Sequence, residues 1–326
     1  MAIIMKRENV KKISLGFFIL STILIGLCSN SIAASTTYEP AINKGTVMFK
    51  VTQYNERLWD KTISRKLDPD DFFGGDSDQV GARSKITIKN VGSYKWDLSD
   101  ALIFIFDVQS YIDENALNET ETLLLLSFLS KDYVDKVYPD KRNVWEALTV
   151  KWNFKVGEFD EIPDDKSYIL PIFKAPKDYK GLLDDYNDWA LNLNATMLYL
   201  GIEPFPIING DDFLWLLITS NIFTIARPFN SYLTTLIEKL NCDDVKIKEN
   251  TLILDRKGVE DYTVEVTFND QGILSDLVIK NNQERVIYEI SLDNTNMVVL
   301  IASGVIAASV AGILTVLIIR RKKFRQ

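Results

Sequence analysis

The chain has 326 residues, of which 47% are hydrophobic, and its 37 basic and 45 acidic side chains give a formal net charge of −8 at pH 7. It contains no histidine, which excludes histidine general bases, Ser-His-Asp and Cys-His nucleophile systems, and histidine-rich zinc sites. An acidic chain of this kind repels phosphate backbones, so we expect no nucleic-acid partner.

The first segment, residues 1–33, predicts a secretory signal peptide. Basic residues precede an apolar stretch at 13–27 that is too short for a comfortable bilayer span, and small residues up to Ala33 form a cleavage site. A retained N-terminal anchor is the alternative. Cleavage removes Cys28 and leaves Cys242 as the single thiol, so no intramolecular disulfide can form. A buried free cysteine is favoured over a disulfide-linked dimer through Cys242.

The predicted ectodomain, residues 34–296, contains 28 basic and 44 acidic side chains, which suits a solvated outer surface. Its first half predicts strands, the clearest being the alternating TVMFKVTQY at 46–54. The other predicted strands of this half cover residues 84–90, 100–107, 145–154 and 168–173. The apolar segment 123–129 fits either a strand or a helix. A sub-boundary near residue 175 precedes a helical part.

An acidic loop is predicted at residues 68–78, with carboxylates at Asp68, Asp70, Asp71, Asp76 and Asp78. Clustered carboxylates suit Ca²⁺, which prefers oxygen ligands. The spacing departs from the EF-hand pattern, because phenylalanines stand where that pattern needs an oxygen ligand and a glycine. We therefore predict a solvated loop and keep the five aspartates as a candidate calcium site.

Two N-glycosylation sequons occur, at Asn118-Glu119-Thr120 and Asn194-Ala195-Thr196. On an exported chain, Asn118 and Asn194 are candidate acceptors, and their use would make the protein a glycoprotein. Asn194 is the weaker candidate because it lies in a predicted helix.

Three helices are predicted at residues 179–199, 211–226 and 230–240, where apolar residues recur at spacings of three and four. The helix at 211–226 is apolar almost all round, yet it is too short to span a membrane. It fits a core helix buried by the sheet. It also fits one wall of a cavity for a lipid or other apolar ligand, with Phe213, Trp215 and Phe223 in that wall.

The last part of the ectodomain predicts a meander. Short strands are predicted at 244–248, 251–255, 261–268, 273–280 and 285–292, with tight polar turns between the later ones. In residues 261–268 the apolar side chains share one face, which indicates a sheet with one face covered. We therefore predict an α+β fold, in which helices pack on one face of a curved antiparallel sheet.

The C-terminal run, residues 297–319, is uncharged and long enough to cross a bilayer as a helix. The basic tail at 320–326 places the C-terminus in the cytoplasm by the positive-inside rule. Gly304, Ala308 and Gly312 recur every four residues, a spacing that lets helix backbones approach and pair as a homodimer. The alternative is that glycine and alanine are simply frequent in membrane helices.

The order of these elements resembles a recurring type of exported archaeal surface protein of unknown role. The resemblance rests on the signal peptide, the opening strand GTVMFKVTQY, the LPIF segment at 170–173, the phrase TVEVTFNDQGIL at 263–274 and the membrane anchor. It implies an architecture and no activity. The curved sheet with apolar helices also resembles lipoprotein-carrier folds that hold an acyl chain, a likeness of shape that implies no site.

The sequence contains no phosphate-cradling glycine loop and no nucleophile elbow, and we expect no cofactor. An acid-pair glycosidase needs no histidine, but no pair of carboxylates stands out. The leading hypothesis is a membrane-anchored cell-surface protein that binds other surface proteins or envelope glycans, in adhesion or envelope organisation. The alternative is an extracellular binding protein for an apolar ligand held between the sheet and the helix at 211–226.

Overall fold

The computed structural model describes residues 37–105, 117–163, 165–220 and 223–293. Contacts divide the chain into two units, Met1–Thr37 and Tyr38–Gln326, and the fold described below belongs to the second. The predicted signal peptide at 1–33, the apolar run at 297–319 with Gly304, Ala308 and Gly312, and the tail at 320–326 all lie outside the described residues. Within those residues, no helix is both long and apolar enough to cross a membrane.

Nine strands in the described part of the chain form one antiparallel sheet in the order β5-β4-β3-β2-β11-β10-β9-β8-β7. These strands are β2 (Gly45–Tyr54), β3 (Arg83–Trp96), β4 (Arg142–Lys155), β5 (Asp165–Phe173), β7 (Val245–Lys248), β8 (Thr251–Lys257), β9 (Asp261–Phe268), β10 (Leu274–Asn281) and β11 (Val286–Leu292). Two short strands, β1 (Glu39–Pro40) and β6 (Ala226–Arg227), pair with each other. The α+β class is confirmed, and the sheet curls into an open half-barrel.

Alternation of side chains explains the central strands. In β9, Tyr262, Val264, Val266 and Phe268 are buried while the residues between them are more exposed, as a strand with one covered face requires. Register shifts interrupt the pairing of β3 with β4, of β4 with β5 and of β10 with both neighbours. Such bulges bend strands and increase their twist, which is how a sheet of this width curls.

Eight helices occur among the described residues. They are α1 (Glu56–Thr62), α2 (Pro69–Phe73), α3 (Leu98–Ile105), α4 (Glu119–Leu129), α5 (Lys131–Val137), α6 (Lys177–Leu200), α7 (Gly210–Thr219) and α8 (Phe229–Leu240). The predicted helices at 179–199 and 230–240 are confirmed as α6 and α8. The ambiguous segment at 123–129 is helical, and the predicted loop at 68–78 contains the short helix α2.

Two predictions of secondary structure are wrong. The strand predicted at 100–107 begins as helix α3, because the Asp97 carboxylate accepts the backbone N–H groups of Ser99 and Asp100 and caps that helix. The helix predicted at 211–226 ends at Thr219. Beyond it the chain turns to the sheet, where the Ile225 N–H donates to the Gly272 carbonyl at 2.9 Å.

Helices α6, α7 and α8 supply much of the core. The α6 side chains that are buried include Tyr186, Trp189 and Leu193, and α8 buries Tyr232 and Leu236. The start of the domain is fixed on α8, since the Tyr38 ring meets Tyr232 edge-on at 5.2 Å. Tyr38, at the start of the described residues, is therefore packed on the same fold as helix α8.

The two ends of the sheet carry different parts of the chain. Strands β3 and β11 both pair antiparallel with β2, so they run in the same direction. Strand β11 finishes at Leu292, opposite Phe49, and we call this the exit end of the sheet. The described parts of the helical insertion between β3 and β4, residues 97–105 and 117–141, follow the end of β3 and so lie at the exit end. Helices α1 and α2 lie at the opposite end, where the Val259 N–H donates to the Ile63 carbonyl.

Candidate functional site

The five candidate calcium ligands do not come together in the structure. Asp68 and Asp71 form a reciprocal cap at the start of α2, in which the Asp68 N–H donates to the Asp71 carboxylate at 2.7 Å. Asp76 instead accepts the Val156 N–H at 3.0 Å. Among the described residues, no group of three or more acidic or cysteine side chains is placed to hold a metal ion. These carboxylates therefore bind backbone N–H groups, within the segment for Asp71 and at the end of β4 for Asp76.

The same acidic segment is held to the sheet by aromatic packing. The Phe73 ring stacks on Tyr288 with centroids 5.4 Å apart, and Trp59 meets Tyr288 edge-on at 5.7 Å. The Tyr288 hydroxyl donates to the Ser77 carbonyl at 2.8 Å, and burial raises the pKa of Tyr288 far above its ordinary value. These contacts form a packed aromatic cluster at the opposite end of the half-barrel.

An apolar cavity of about 40 Å³ lies between the sheet and the end of α7. Its apolar walls include Phe49, Ile86, Phe154, Leu170, Phe223 and Leu277, with Ser84, Lys151 and Thr224 as polar lining groups. Pockets for small molecules usually measure about 300–1,000 Å³. The cavity has the position and the character that the apolar-ligand hypothesis requires, but in this conformation it is too small for an acyl chain.

The three residues predicted to line the ligand wall are in three different environments. Phe223 lines the cavity. Phe213 is fully buried in the core. Trp215 lies 6.1 Å from the ring of Phe72 and 5.5 Å from the guanidinium of Arg256. The structure therefore does not bring the three residues together in one wall, because the helix ends at Thr219 and Phe223 belongs to the following segment.

Lys151 is a lining residue that the sequence reasoning missed. It lies opposite Ile86 in the register of β3 and β4, and Ile86 is buried on the inner face. A strand places alternate residues on one face, so Lys151 belongs to the cavity side of β4, as its place in the lining agrees. No sequence signal indicated it, because the apolar residues Val150 and Trp152 on either side of Lys151 predict that the lysine faces away from the core.

The outer face of β3 and β4 carries a cluster of cations and aromatic rings, which we call the cation–aromatic surface. The Lys85 ammonium lies 3.7 Å from the ring centre of Trp152 and 5.1 Å from that of Phe159. The Arg83 guanidinium lies 5.8 Å from Phe159. The Trp152 indole N–H donates to the Asp160 carbonyl, which holds the loop after β4 against the sheet. Sequence reasoning missed this cluster, since only the strand register brings Lys85 opposite Trp152.

A polar groove of about 230 Å³ crosses strands β8 and β9. Two of its charged groups are paired within the fold. Arg256 binds Asp212 at 2.9 Å, and Asp255 accepts from Lys246 at 2.7 Å. The lining also contains Asp244, Lys257 and Asp261. The pair of Arg256 with Asp212 ties α7 to strand β8.

A network of carboxylates lies at the base of the helical insertion. Asp97 is buried and accepts from Ser99, Lys131 and Lys141. Burial opposes its ionisation, but the hydrogen bonds from Ser99 and Lys131 outweigh burial and lower the pKa of Asp97 well below its ordinary value. Burial raises the pKa of the neighbouring Asp100. Because Asp97 and Asp100 both cap α3, we assign this pair a structural role.

Cys242 is a free, half-buried cysteine at the end of α8. Burial, reinforced by the neighbouring Asp211 and Asp243, raises the pKa of the Cys242 thiol to about 12. Thiol chemistry requires the thiolate, so this cysteine is a poor nucleophile at neutral pH.

The two sequon asparagines have different environments. Asn118 is exposed and caps α4 through its side-chain oxygen, which accepts the Glu121 N–H at 3.1 Å. Asn194 is half-buried and uses both atoms of its amide, donating to the Phe205 carbonyl at 2.9 Å and accepting the Phe205 N–H at 2.7 Å. The Asn194 amide thus clamps the segment after α6 onto the helix.

Comparisons with protein-family models, with characterised proteins and with solved structures found no match to this chain. The resemblances to exported archaeal surface proteins and to lipoprotein carriers therefore stay predictions from the sequence.

Proposed function

We propose that this chain is a membrane-anchored cell-surface protein whose folded ectodomain binds other envelope components and does not catalyse a reaction. One observation carries the anchor. The Asp293 N–H donates to the Met48 carbonyl at 2.7 Å, so the chain is held to the sheet up to this residue. The apolar run begins at Met297, four residues further along the chain. A residue held to the sheet so close to a bilayer-length apolar segment supports a tethered ectodomain.

The arrangement of polar groups supports binding over catalysis. The buried or half-buried acidic groups described above cap helices or form ion pairs, as in the Asp97 network and in the pair of Arg142 with Asp185 at 2.6 Å. Acid-pair hydrolysis of a glycoside requires two carboxylates facing a substrate cleft. The lining of the apolar cavity includes no acidic residue. The polar groove is lined by Asp244, Asp255 and Asp261, of which Asp255 is paired with Lys246.

The anchor is tested by fractionation of cells that express the full chain or a variant lacking residues 297–326. The full chain should sediment with membranes and dissolve only in detergent, while the shortened chain should be recovered in the medium. Retention of the shortened chain in membranes would contradict the anchor at 297–319. A full chain recovered without detergent would contradict it as well.

The cation–aromatic surface is the region we assign to envelope partners, with glycans as the favoured class. Tryptophan rings offer broad apolar faces beside a polar tip, a combination that suits recognition of surfaces that are partly polar. We expect Trp152→Ala to weaken adsorption of the protein to isolated cell envelopes. Trp145→Ala is the matched control, because Trp145 also lies under a lysine, at 5.1 Å from Lys174, but on the opposite face of β4. Equal adsorption of both variants and the parent would exclude this surface.

The second candidate function is the binding of a small apolar ligand. The observation in its favour is the cavity beside Phe223, with Lys151 as a cationic group in its lining. Native mass spectrometry of residues 34–296 and of Phe223→Ala tests it. A bound mass that is lost on solvent extraction, and that increases in Phe223→Ala because the cavity is larger, would establish a ligand. Masses without a bound ligand for both proteins would favour a core that is filled by side chains and holds no ligand.

A further inference from the structure

We propose that helix α4 lies against the outer surface of the bilayer that holds the anchor, with Leu123 and Leu126 in contact with lipid. This inference rests on the anchor of the proposed function. It adds which side of the ectodomain faces the membrane and which residues touch it.

The direction of the strands supplies the first step. Strand β11 leads to the proposed anchor, and β3 runs in the same direction two strands away in the sheet. At the level where β11 finishes, Leu292 lies opposite Phe49 and Phe49 lies opposite Ser84. From Ser84, β3 continues to Trp96 before the helical insertion begins. The insertion is therefore on the membrane side of the sheet.

Chain lengths supply the second step. The chain between Leu292 and Met297 can extend by at most about 17 Å at roughly 3.4 Å per residue. Strand β3 from Ser84 to Trp96 would cover about 40 Å if it continued straight. The long β3–β4 hairpin cannot enter the hydrocarbon, because its polar backbone edges would be unsatisfied there. The hairpin must therefore run along the bilayer surface as the sheet curls. This orientation places the helices of the insertion next to the lipid head groups.

The composition of α4 supplies the third step. The helix reads ETETLLLLSFL, and only Leu125 among its residues is fully buried. Leu123 is 61% exposed and Leu126 is 45% exposed, and they lie one turn apart on the same side of the helix. A pair of exposed leucines on an otherwise acidic insertion has no attraction for anionic head groups, but it gains free energy by burial in the apolar part of the interface.

The candidate glycan site fits the same orientation. Asn118 precedes Leu123 by five positions, which separates them by about 140° around a helix of 3.6 residues per turn. A glycan on Asn118 would therefore project away from Leu123, while Leu126, eight positions on, lies about 80° from Asn118.

The test uses the exported chain, residues 34–326, in vesicles of phosphatidylcholine, with its one thiol, Cys242, replaced by serine. An environment-sensitive fluorophore is attached in turn to Leu123→Cys, Leu126→Cys, Val259→Cys and Val305→Cys. Val259 is the matched control, since it is 55% exposed and lies at the opposite end of the sheet. Val305 reports on the proposed anchor. Vesicles with and without a doxyl-labelled lipid measure the quenching by lipid at each position.

We expect the labels at Leu123, Leu126 and Val305 to shift to shorter emission wavelengths and to lose intensity with the doxyl lipid, while the Val259 label does neither. Labels at Leu123 and Leu126 that behave like Val259, beside a quenched label at Val305, would overturn the lipid contact and leave the anchor intact. An unquenched label at Val305 would overturn the anchor and the inference together. Two separate α4 positions keep the test decisive if one variant folds poorly.

Discussion

Single residues set the geometry where the chain approaches itself most closely. Gly272 has a φ of +72°, and a Cβ at this position would lie 2.0 Å from the Ile225 carbonyl oxygen. That carbonyl belongs to the segment that follows α7 and lines the cavity. Gly201 has a similar φ of +75°, but a Cβ there would meet open space. A comparison of alanine variants at these two glycines therefore distinguishes the cost of backbone strain from the cost of a steric clash.

We predict that Gly201→Ala costs about 1 kcal/mol of unfolding free energy, from the left-handed backbone alone. Gly272→Ala should cost about 3 kcal/mol or more, because it adds the displacement of the Ile225 backbone to the same strain. Urea unfolding of both variants, followed by circular dichroism, measures the difference. Equal losses would contradict the close approach at Gly272.

Asp97 illustrates a residue with two tasks, capping α3 and pairing with Lys131 and Lys141. Asp97→Ala removes both interactions from a buried site, and we expect a loss of about 3 kcal/mol. Asp97→Asn keeps a side-chain oxygen for the cap and removes only the charge, so its loss should be smaller. The same unfolding measurement distinguishes them, and a larger loss for the asparagine variant would contradict the capping role.

At the scale of elements, the sequence was most informative where one period applied over a whole segment. The alternation of β9 and the three-four spacing of α6 both predicted the observed elements. Residues 100–107 read ALIFIF between aspartates, a run that fits a buried strand or a helix equally well. The segment begins as a helix because Asp97 caps it. The capping residue lies before residues 100–107, so the pattern of that segment alone did not include it.

The residues of the candidate sites differ in how far the sequence alone could predict them. Phe223 could be associated with the cavity from sequence because it is a large apolar residue of the apolar segment 211–226. Trp215 could not be excluded in advance, since its contact with Arg256 depends on where α7 meets strand β8. The cation–aromatic surface depends on the register that pairs Lys85 with Trp152. Contacts that depend on the register between two strands could not be predicted from the sequence.

The sequons give an element-scale prediction, since each is tied to a helix. If the chain is glycosylated, Asn118 should be occupied and Asn194 empty, because the Asn194 amide nitrogen is used to hold Phe205 on α6. Mass spectrometry of glycopeptides from the exported protein measures both sites. A glycan on Asn194 would contradict the clamp between α6 and the segment that follows it.

At the scale of the whole molecule, charge and burial together determine the pH dependence of stability. Burial raises the pKa of Asp100, Glu146, Asp178 and Asp185. A carboxyl group with a raised folded-state pKa stabilises the fold fully below its unfolded pKa, and this contribution is lost as the pH rises through the folded value. The acidic ectodomain also repels itself more strongly as its carboxyl groups ionise.

We therefore predict a higher melting temperature at pH 5 than at pH 8 for residues 34–296. Asp97 acts in the opposite sense, because its pKa is lowered, but its contribution is lost only at pH values below its ordinary 3.8. Asp178→Asn should flatten part of the profile, since it removes one of the raised groups. A melting temperature that falls steadily from pH 8 to pH 5 would contradict this account.

The most direct test of the central claim is protease treatment of intact cells that express the full chain with an epitope tag after Gln326. We expect protease to digest the ectodomain and to leave a short membrane-bound fragment that retains the protected tag. Digestion of the tag in intact cells, or an ectodomain that resists protease until the membrane is permeabilised, would contradict a single-span protein with its folded domain outside.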